Sequence, residues 1–160
     1  MTIATGEKMP TGAFGTMTDA GPGAISTDEL FSGKKVVLVS VPGAFTPTCS
    51  MNHLPGYVEQ ASALKDKDVD TIACMAVNDV FVMDAWGKDR GVGDNVMMLA
   101  DGNGEYAAAL GLELDASAFG MGKRGQRFAI VVEDGIATHV AVEAPGQFEV
   151  SKAEAILAAL

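Results

Sequence analysis

One short segment of the chain combines the residue types that thiol chemistry requires. Pro42, Thr46 and Cys49 stand in the spacing Pro-x-x-x-Thr-x-x-Cys, directly after an apolar run at Val36–Val41. The run predicts a buried strand, and the prolines after it predict a turn that leads into a helix beginning near Cys49. Unpaired N–H groups and the positive end of the helix dipole favour a thiolate over a thiol at such a position. Because the thiolate is the nucleophile, Cys49 is the candidate catalytic residue.

The spacing of these three residues resembles the active-site signature of the peroxiredoxins. The continuation Cys49–Tyr57 is similar to the Prx5 subfamily, and further matches follow at Val77–Val82, Trp86–Gly87 and Arg127–Phe128. The resemblance extends over nearly the whole chain. It implies a thiol peroxidase that reduces hydrogen peroxide and organic hydroperoxides through a sulfenic acid at Cys49. It also implies a thioredoxin-like α/β fold, with a central mixed β-sheet flanked by helices.

Peroxide reduction requires fixed hydrogen-bond donors, because negative charge grows on the departing oxygen. The Thr46 hydroxyl can both donate and accept, and it stands three residues before Cys49, where it can lie beside the sulfur. Pro42 can shield the sulfur from water without competing for its hydrogen bonds, because proline has no N–H group. Thr46 as a helix N-cap remains an alternative that is compatible with catalysis.

Arg127 is the candidate for a fixed positive charge in the site. It precedes the apolar strand Phe128–Val132, and the family has its second-site arginine at the matching position. The alternative is an arginine that only solvates the end of a strand. Arg124, in the preceding basic loop, is expected to be a surface charge.

The two cysteines are expected to differ in their surroundings. Cys49 has the polar neighbours Thr48 and Ser50, so a position in the core would leave hydroxyl groups without partners. Cys74 lies in the apolar segment Val69–Val77, which predicts a central buried strand and an inert thiol.

The reductive half of the cycle is predicted to need only one cysteine of this chain. Some members of the subfamily have a resolving cysteine near the C-terminus, but Phe148–Lys152 contains none. An external thiol reductant is therefore expected, namely glutathione, glutaredoxin or thioredoxin. Some plant relatives use a cysteine near the position of Cys74 for resolution, and this alternative stays open.

The histidines and acidic residues predict no further chemistry. His53 lies one helical turn after Cys49 and is expected to make a structural hydrogen bond, since a thiolate needs no general base. Two histidines and two distant cysteines do not form a zinc site, and we expect neither a metal nor a cofactor. A thiol-based redox sensor or binding module remains an alternative. So does a thioredoxin-like disulfide oxidoreductase, although that chemistry usually needs Cys-x-x-Cys and position 52 is Asn52.

The whole-chain properties agree with a small enzyme. A net charge of -10 over 160 residues argues against binding to nucleic acid or to anionic membranes. The length predicts one domain over residues 1–160, and the absence of a signal-like opening predicts a cytoplasmic location. Phe45 and the apolar Val80–Val82 predict an exposed patch and hence a symmetric homodimer.

Local patterns predict the elements that must position these residues. The first half is expected to contain a hairpin within Gly12–Gly23, a short helix at Ser26–Phe31, a helix over Pro47–Lys65 that kinks at Pro55, and a helix over Val80–Asp89. The second half is expected to contain a strand at Val96–Ala100, a short helix at Glu105–Leu110, a hairpin around Asp134-Gly135, and a final helix that opens with the capping box Ser151–Glu154.

Overall fold

The computed structural model describes residues 1–160 as a mixed β-sheet with helices on both of its faces, as predicted. Its strands are β1 (Ala13–Thr18), β2 (Gly21–Ser26), β3 (Lys35–Ser40), β4 (Thr71–Ala76), β5 (Met97–Ala100), β6 (Glu113–Asp115), β7 (Lys123–Gly125), β8 (Phe128–Glu133) and β9 (Ile136–Val142). Its helices are α1 (Thr27–Phe31), α2 (Leu54–Glu59), α3 (Ala61–Lys65), α4 (Val80–Asp89), α5 (Glu105–Ala109) and α6 (Ala153–Ala159), with a π-helical turn at Cys49–His53 and a 3₁₀ turn at Ser117–Phe119. None of the helices combines the length and apolar character that crossing a bilayer requires.

Seven strands form one sheet in the order β2-β1-β5-β4-β3-β8-β9. The three central strands β3, β4 and β5 are parallel to one another, and every other pairing is antiparallel. Strands β6 and β7 form a separate antiparallel ribbon, which the sequence patterns did not predict.

The central strand β3 contributes side chains to two separate hydrophobic cores. Val37 and Val39 belong to the core beneath α2, α4 and α6, whereas Val36 and Leu38 belong to the core beneath α1 and α5. All four side chains are buried. A strand that is buried on both faces has apolar residues at every position, which explains the uninterrupted apolar run in the sequence.

The register of the sheet brings three connecting segments to one edge. Ser40 at the end of β3 pairs with Phe128 at the start of the antiparallel β8, and with Met75 near the end of the parallel β4. The loop that follows β3, the residue that precedes β8 and the loop that follows β4 therefore meet. Ligands of α/β folds bind at this carboxyl end of the parallel strands.

A π turn lies ahead of Pro55 in the predicted helical segment, and it begins six residues earlier in the chain, at Cys49. Within the helical segment Pro47–Lys65, the Leu54 N–H donates to the Cys49 carbonyl, five residues back. Pro55 has no N–H with which to continue this pattern, so it cannot donate to the Ser50 carbonyl. The π turn thus absorbs the irregularity that the proline imposes.

The predicted capping box at Ser151–Glu154 is wrong. Helix α6 begins at Ala153, its N-cap is Lys152, and no side chain caps it. The Ser151 hydroxyl instead donates to the Glu143 carboxylate at 2.7 Å. The chain has a capping box at α1, where Ser26 and Glu29 bond reciprocally.

The predicted hairpin at Asp134-Gly135 is confirmed. Both residues have left-handed backbone, with φ of 47° and 80°, as a two-residue type I′ turn requires. The turn joins β8 to β9 and so fixes the strand that directly follows Arg127.

Candidate active site

The loop that follows β3 is held by one hydrogen bond within the loop and by one to the loop after β4. The Ala44 N–H donates to Asn78 Oδ1 at 2.9 Å, and the Thr46 hydroxyl donates to the Gly43 carbonyl at 2.8 Å. Phe45 has a left-handed backbone with φ of 63°, which costs a residue other than glycine about 1–3 kcal/mol and is common at functional sites. Its ring is half exposed and lies 6.5 Å from the ring of Trp86, measured between centroids.

Cys49 is the first residue of the π turn and is fully buried. The prediction that its polar neighbours keep it out of the core is therefore wrong. The Ser50 hydroxyl is satisfied inside the core, because it accepts a hydrogen bond from the Trp86 indole N–H at 2.9 Å. The Ser50 hydroxyl therefore has a hydrogen-bond partner although Cys49 and Ser50 are buried.

The structure brings Arg127 to the sulfur of Cys49. Its Nη2 donates to Cys49 Sγ at 3.1 Å, and its Nη1 donates to His53 Nδ1 at 2.8 Å. The Phe148 ring lies on the guanidinium, with 5.9 Å between Cζ and the ring centroid. Arg127 precedes β8, so the pairing of β8 with β3 places its side chain beside the loop that leads to Cys49.

Thr46 and Pro42 lie in the same loop, and both are half-buried. The Thr46 hydroxyl does not cap the helix, because no helix N–H donates to it; it donates instead to the Gly43 carbonyl. Its oxygen lone pairs remain available as acceptors. The Pro42 carbonyl accepts a long hydrogen bond of 3.5 Å from Arg124 Nη1.

The predicted surface position of Arg124 is wrong. Its side chain is half-buried, and its Nε donates to the Met121 carbonyl at 3.0 Å. A Cβ atom added to Gly43 would lie 3.0 Å from Arg124 Nη1, so the guanidinium lies directly against the active-site loop. Arg124 therefore supports the loop, whereas Arg127 contacts the sulfur.

His53 is buried, and other groups engage both of its ring nitrogens. Arginine only donates, so Nδ1 accepts from Arg127 and the ring proton is on Nε2, which donates to the Ser151 carbonyl at 3.1 Å. Burial, and then the charge of Arg127, lower the pKa of His53 to about 3. The residue is therefore neutral at physiological pH and has no free nitrogen with which to act as a general base.

Glu143 is a functional candidate that the sequence did not reveal. Its Oε2 accepts from the Ser151 N–H at 2.9 Å, from the Ser151 hydroxyl at 2.7 Å and from the Glu149 N–H at 2.8 Å. Although burial opposes ionisation, these hydrogen bonds lower the pKa of Glu143. Nothing in the sequence around Glu143 indicates that its carboxylate accepts these three hydrogen bonds.

Cys74 is buried in β4, and both cysteines are free thiols. Burial, and then the negative charge of Cys49, raise the pKa of the Cys74 thiol. A thiol that resists ionisation is a poor nucleophile and a poor metal ligand. The predicted buried strand is confirmed, and the environment of Cys74 is that of an inert core residue.

Comparison with known proteins places this geometry in a family. The redoxin family model matches residues 4–157. Peroxiredoxin-2B of Arabidopsis thaliana is 48% identical over 159 residues, which cover 99% of this chain and 98% of that protein. The crystal structure of reduced Prx3 from Vibrio vulnificus in complex with hydrogen peroxide is 51% identical, with a TM-score of 0.95 and coverage of 98% of each chain. Peroxiredoxin 5 from Alvinella pompejana is 35% identical, with a TM-score of 0.86 and coverage of 98% of this chain and 96% of that chain. The chain has the thioredoxin-like fold of these proteins, is a thiol peroxidase, and belongs to the peroxiredoxin family, in its Prx5-like subfamily.

Proposed function

We propose that this thiol peroxidase reduces hydrogen peroxide and organic hydroperoxides at Cys49, in a pocket formed with Arg127, Thr46 and Pro42. The observation that carries the proposal is the 3.1 Å hydrogen bond from Arg127 Nη2 to Cys49 Sγ. A guanidinium at this distance stabilises the thiolate by a charge-assisted hydrogen bond. It also lies where it can stabilise the charge that develops on a peroxide bound at the sulfur.

The oxidative step transfers one oxygen atom to the sulfur. The Cys49 thiolate attacks one peroxide oxygen, the O–O bond breaks, and a sulfenic acid forms at Cys49. The other oxygen takes up a proton and leaves as water or as an alcohol. Thr46 accepts the peroxide O–H with its free lone pairs, and Pro42 shields the sulfur from water.

We propose a 1-Cys cycle for the reductive half. An external thiol condenses with the sulfenic acid, water leaves, and a mixed disulfide forms, which a second thiol then reduces to regenerate Cys49. Two observations support this cycle: Cys74 is buried in an apolar strand, and Phe148–Lys152 contains no cysteine. Glutathione with glutaredoxin is the proposed reductant, and thioredoxin is the alternative.

Cys49 must become accessible in this cycle, because its side chain is fully buried when reduced. The helical turn that contains it is a π turn, whose hydrogen bonds are interrupted at Pro55. We infer that this turn opens to admit the reducing thiol.

We further propose that residues 1–160 act as one domain in the cytoplasm, as a homodimer. Phe45 and Phe81 are 52% and 65% exposed near the active-site end of α4, which supports an apolar interface there. Two free thiols fit a reducing compartment.

Steady-state assays with hydrogen peroxide and cumene hydroperoxide test the proposal. The Cys49→Ser variant should consume neither substrate, whereas the Cys74→Ser variant should keep most of the activity. Turnover should be supported by glutathione with glutaredoxin. Activity in Cys49→Ser would contradict the site, and activity that is lost in Cys74→Ser would contradict the 1-Cys cycle.

A further inference from the structure

The guanidinium of Arg127 divides its hydrogen bonds between two side chains of the same helical segment. Nη2 donates to Cys49 Sγ at 3.1 Å, and Nη1 donates to His53 Nδ1 at 2.8 Å. A guanidinium is rigid and planar, so a bond at one nitrogen restricts where the other nitrogen points. The position of Nη2 relative to the sulfur thus depends on the acceptor at Nη1.

The acceptor on His53 exists in only one tautomer. Nδ1 accepts from Arg127 only when the ring proton is on Nε2, and that N–H donates to the Ser151 carbonyl at 3.1 Å. The Tyr57 hydroxyl donates to the same carbonyl at 2.6 Å. The carbonyl of Ser151 therefore selects the tautomer that Arg127 requires.

The Ser151 carbonyl is itself held in place from the neighbouring strand. Glu143, which follows β9, accepts from both the N–H and the hydroxyl of Ser151. The Glu143 N–H in turn donates to the Arg127 carbonyl at 3.0 Å. The Phe148 ring packs against the His53 ring, with 5.0 Å between the ring centroids. Every polar group in this chain of contacts has a partner.

We propose that His53 is a positioning residue of the peroxidase, whose Nδ1 lone pair holds the Arg127 guanidinium with Nη2 on the Cys49 sulfur. The inference rests on the proposed function, in which Cys49 reacts with peroxide and Arg127 stabilises the charge. His53 itself neither touches the sulfur nor exchanges a proton in the reaction. A neutral imidazole also leaves Arg127 as the cation that contacts the sulfur.

Three substitutions separate the two hydrogen bonds of His53. In His53→Asn the side-chain oxygen lies near the place of Nδ1 and can still accept from Arg127. In His53→Gln the longer side chain reaches the place of Nε2 and can donate to Ser151, but it presents no acceptor to Arg127. His53→Leu has the branched shape of asparagine and keeps neither bond.

The test measures the second-order rate constant for oxidation of each variant by hydrogen peroxide in a stopped-flow experiment, followed by Trp86 fluorescence. A displaced guanidinium should slow oxidation of the Leu and Gln variants by up to roughly 10²-fold. The Asn variant should recover a substantial part of that loss. A purely structural role predicts another order, in which the rates follow the melting temperatures and Asn is no better than Leu.

Two comparisons distinguish failure of this inference from failure of the proposed function. In the double variant His53→Leu/Arg127→Gln, the loss should equal that of Arg127→Gln alone, because His53 acts through Arg127. Additive losses, or a Leu and a Gln variant that both oxidise at the wild-type rate while Arg127→Gln is slow, overturn the role of His53 only. An Arg127→Gln variant with the wild-type rate overturns both. If His53→Leu does not fold, the oxidation rates of the other two variants decide the question. A faster His53→Asn than His53→Gln supports the role of His53, and the reverse overturns it.

Discussion

In the proposed mechanism, the chemistry of the site depends most on Arg127. The salt bridges of the chain involve Lys88, Arg90 and Lys123, and Arg127 is in none of them. Its charge is therefore directed to the sulfur of Cys49 and not neutralised by a carboxylate. A cation that is held in this way stabilises the thiolate before the reaction and the departing oxygen during it.

Replacement of Arg127 by glutamine should slow the oxidation of Cys49 by roughly 10²–10³-fold, because one donor to the developing charge is lost. Lys123→Gln is the matched control: it removes one positive charge nearby from a side chain that is 64% exposed. Equal oxidation rates for wild type and Arg127→Gln would remove Arg127 from the site.

His53 should make the stability of the fold depend on pH. Its pKa is lowered from 6.5 to about 3, so between these pH values the unfolded chain binds a proton at His53 and the folded chain does not. The free energy of unfolding is therefore unaffected by His53 protonation above pH 6.5. As the pH decreases from 6.5 toward 3, protonation of His53 in the unfolded chain lowers the free energy of unfolding by about 1.4 kcal/mol per pH unit. The free energy of unfolding of wild type should therefore fall by roughly 2 kcal/mol more than that of His53→Asn between pH 6.5 and about pH 5.

Urea unfolding of both proteins at the two pH values measures this difference. His139→Asn is the control, because it removes the other histidine from the half-buried face of β9. If wild type and His53→Asn lose the same free energy, His53 is not held neutral in the folded protein.

Among the elements, the π turn at Cys49–His53 is the one whose form depends most on a distant residue. Pro55 leaves the Ser50 carbonyl without a partner in the π turn, and Arg90 Nη1 at the end of α4 donates to it at 3.1 Å. The indole N–H of Trp86, in the same helix, donates to the Ser50 hydroxyl. Helix α4 therefore supports the turn that carries Cys49 through two bonds to one residue.

Replacement of Arg90 by leucine should lower the free energy of unfolding by about 1–3 kcal/mol, because the Ser50 carbonyl then loses its donor. In a Pro55→Ala background the same replacement should cost less, since the new N–H of residue 55 can donate to Ser50. Lys88→Gln serves as the control: it breaks only an exposed ion pair with Asp84, worth less than about 1 kcal/mol. Equal costs of Arg90→Leu in both backgrounds, from urea unfolding, would contradict this account of the turn.

Elements that depend on local chemistry were predictable from the sequence, and elements that depend on distant partners were not. The bounds of α4 match the prediction, because the Asp79 side chain caps its first turn, and the Asp134-Gly135 hairpin follows from two residues that tolerate left-handed backbone. The capping box at Ser151 failed because Glu143, eight residues away, competes for the hydroxyl. Similarly, nothing near Pro55 in the sequence identifies Arg90 as the donor to the turn.

At the scale of the whole molecule, the sheet register assembles the site. The pairing of β3 with β8 and of β8 with β9 brings Arg127 and Glu143 to the edge where Cys49 lies. The sequence identified Arg127 through the resemblance to a family, and spacing alone contained no such information. Burial of Cys49 was not predictable, because the partner of the Ser50 hydroxyl is 36 residues away.

The exposed phenylalanines predict self-association. Sedimentation equilibrium of the reduced protein at micromolar concentration should give twice the chain mass of 16.5 kDa. Phe81→Glu should shift the mass toward the monomer, because it places a charge in the apolar patch. Ile136→Glu, at the distant β8–β9 hairpin, should leave the mass unchanged. A wild-type mass that stays at 16.5 kDa would rule out the dimer.

In the proposed 1-Cys cycle, peroxide oxidises Cys49 to a sulfenic acid that no cysteine of the chain resolves. The direct measurement is to treat the reduced protein with one equivalent of hydrogen peroxide in the presence of dimedone, and then to map the label by peptide mass spectrometry. One dimedone adduct is expected, on Cys49, in wild type and in Cys74→Ser, and none in Cys49→Ser. A label on Cys74, or an unlabelled protein with a Cys49–Cys74 disulfide, would contradict it.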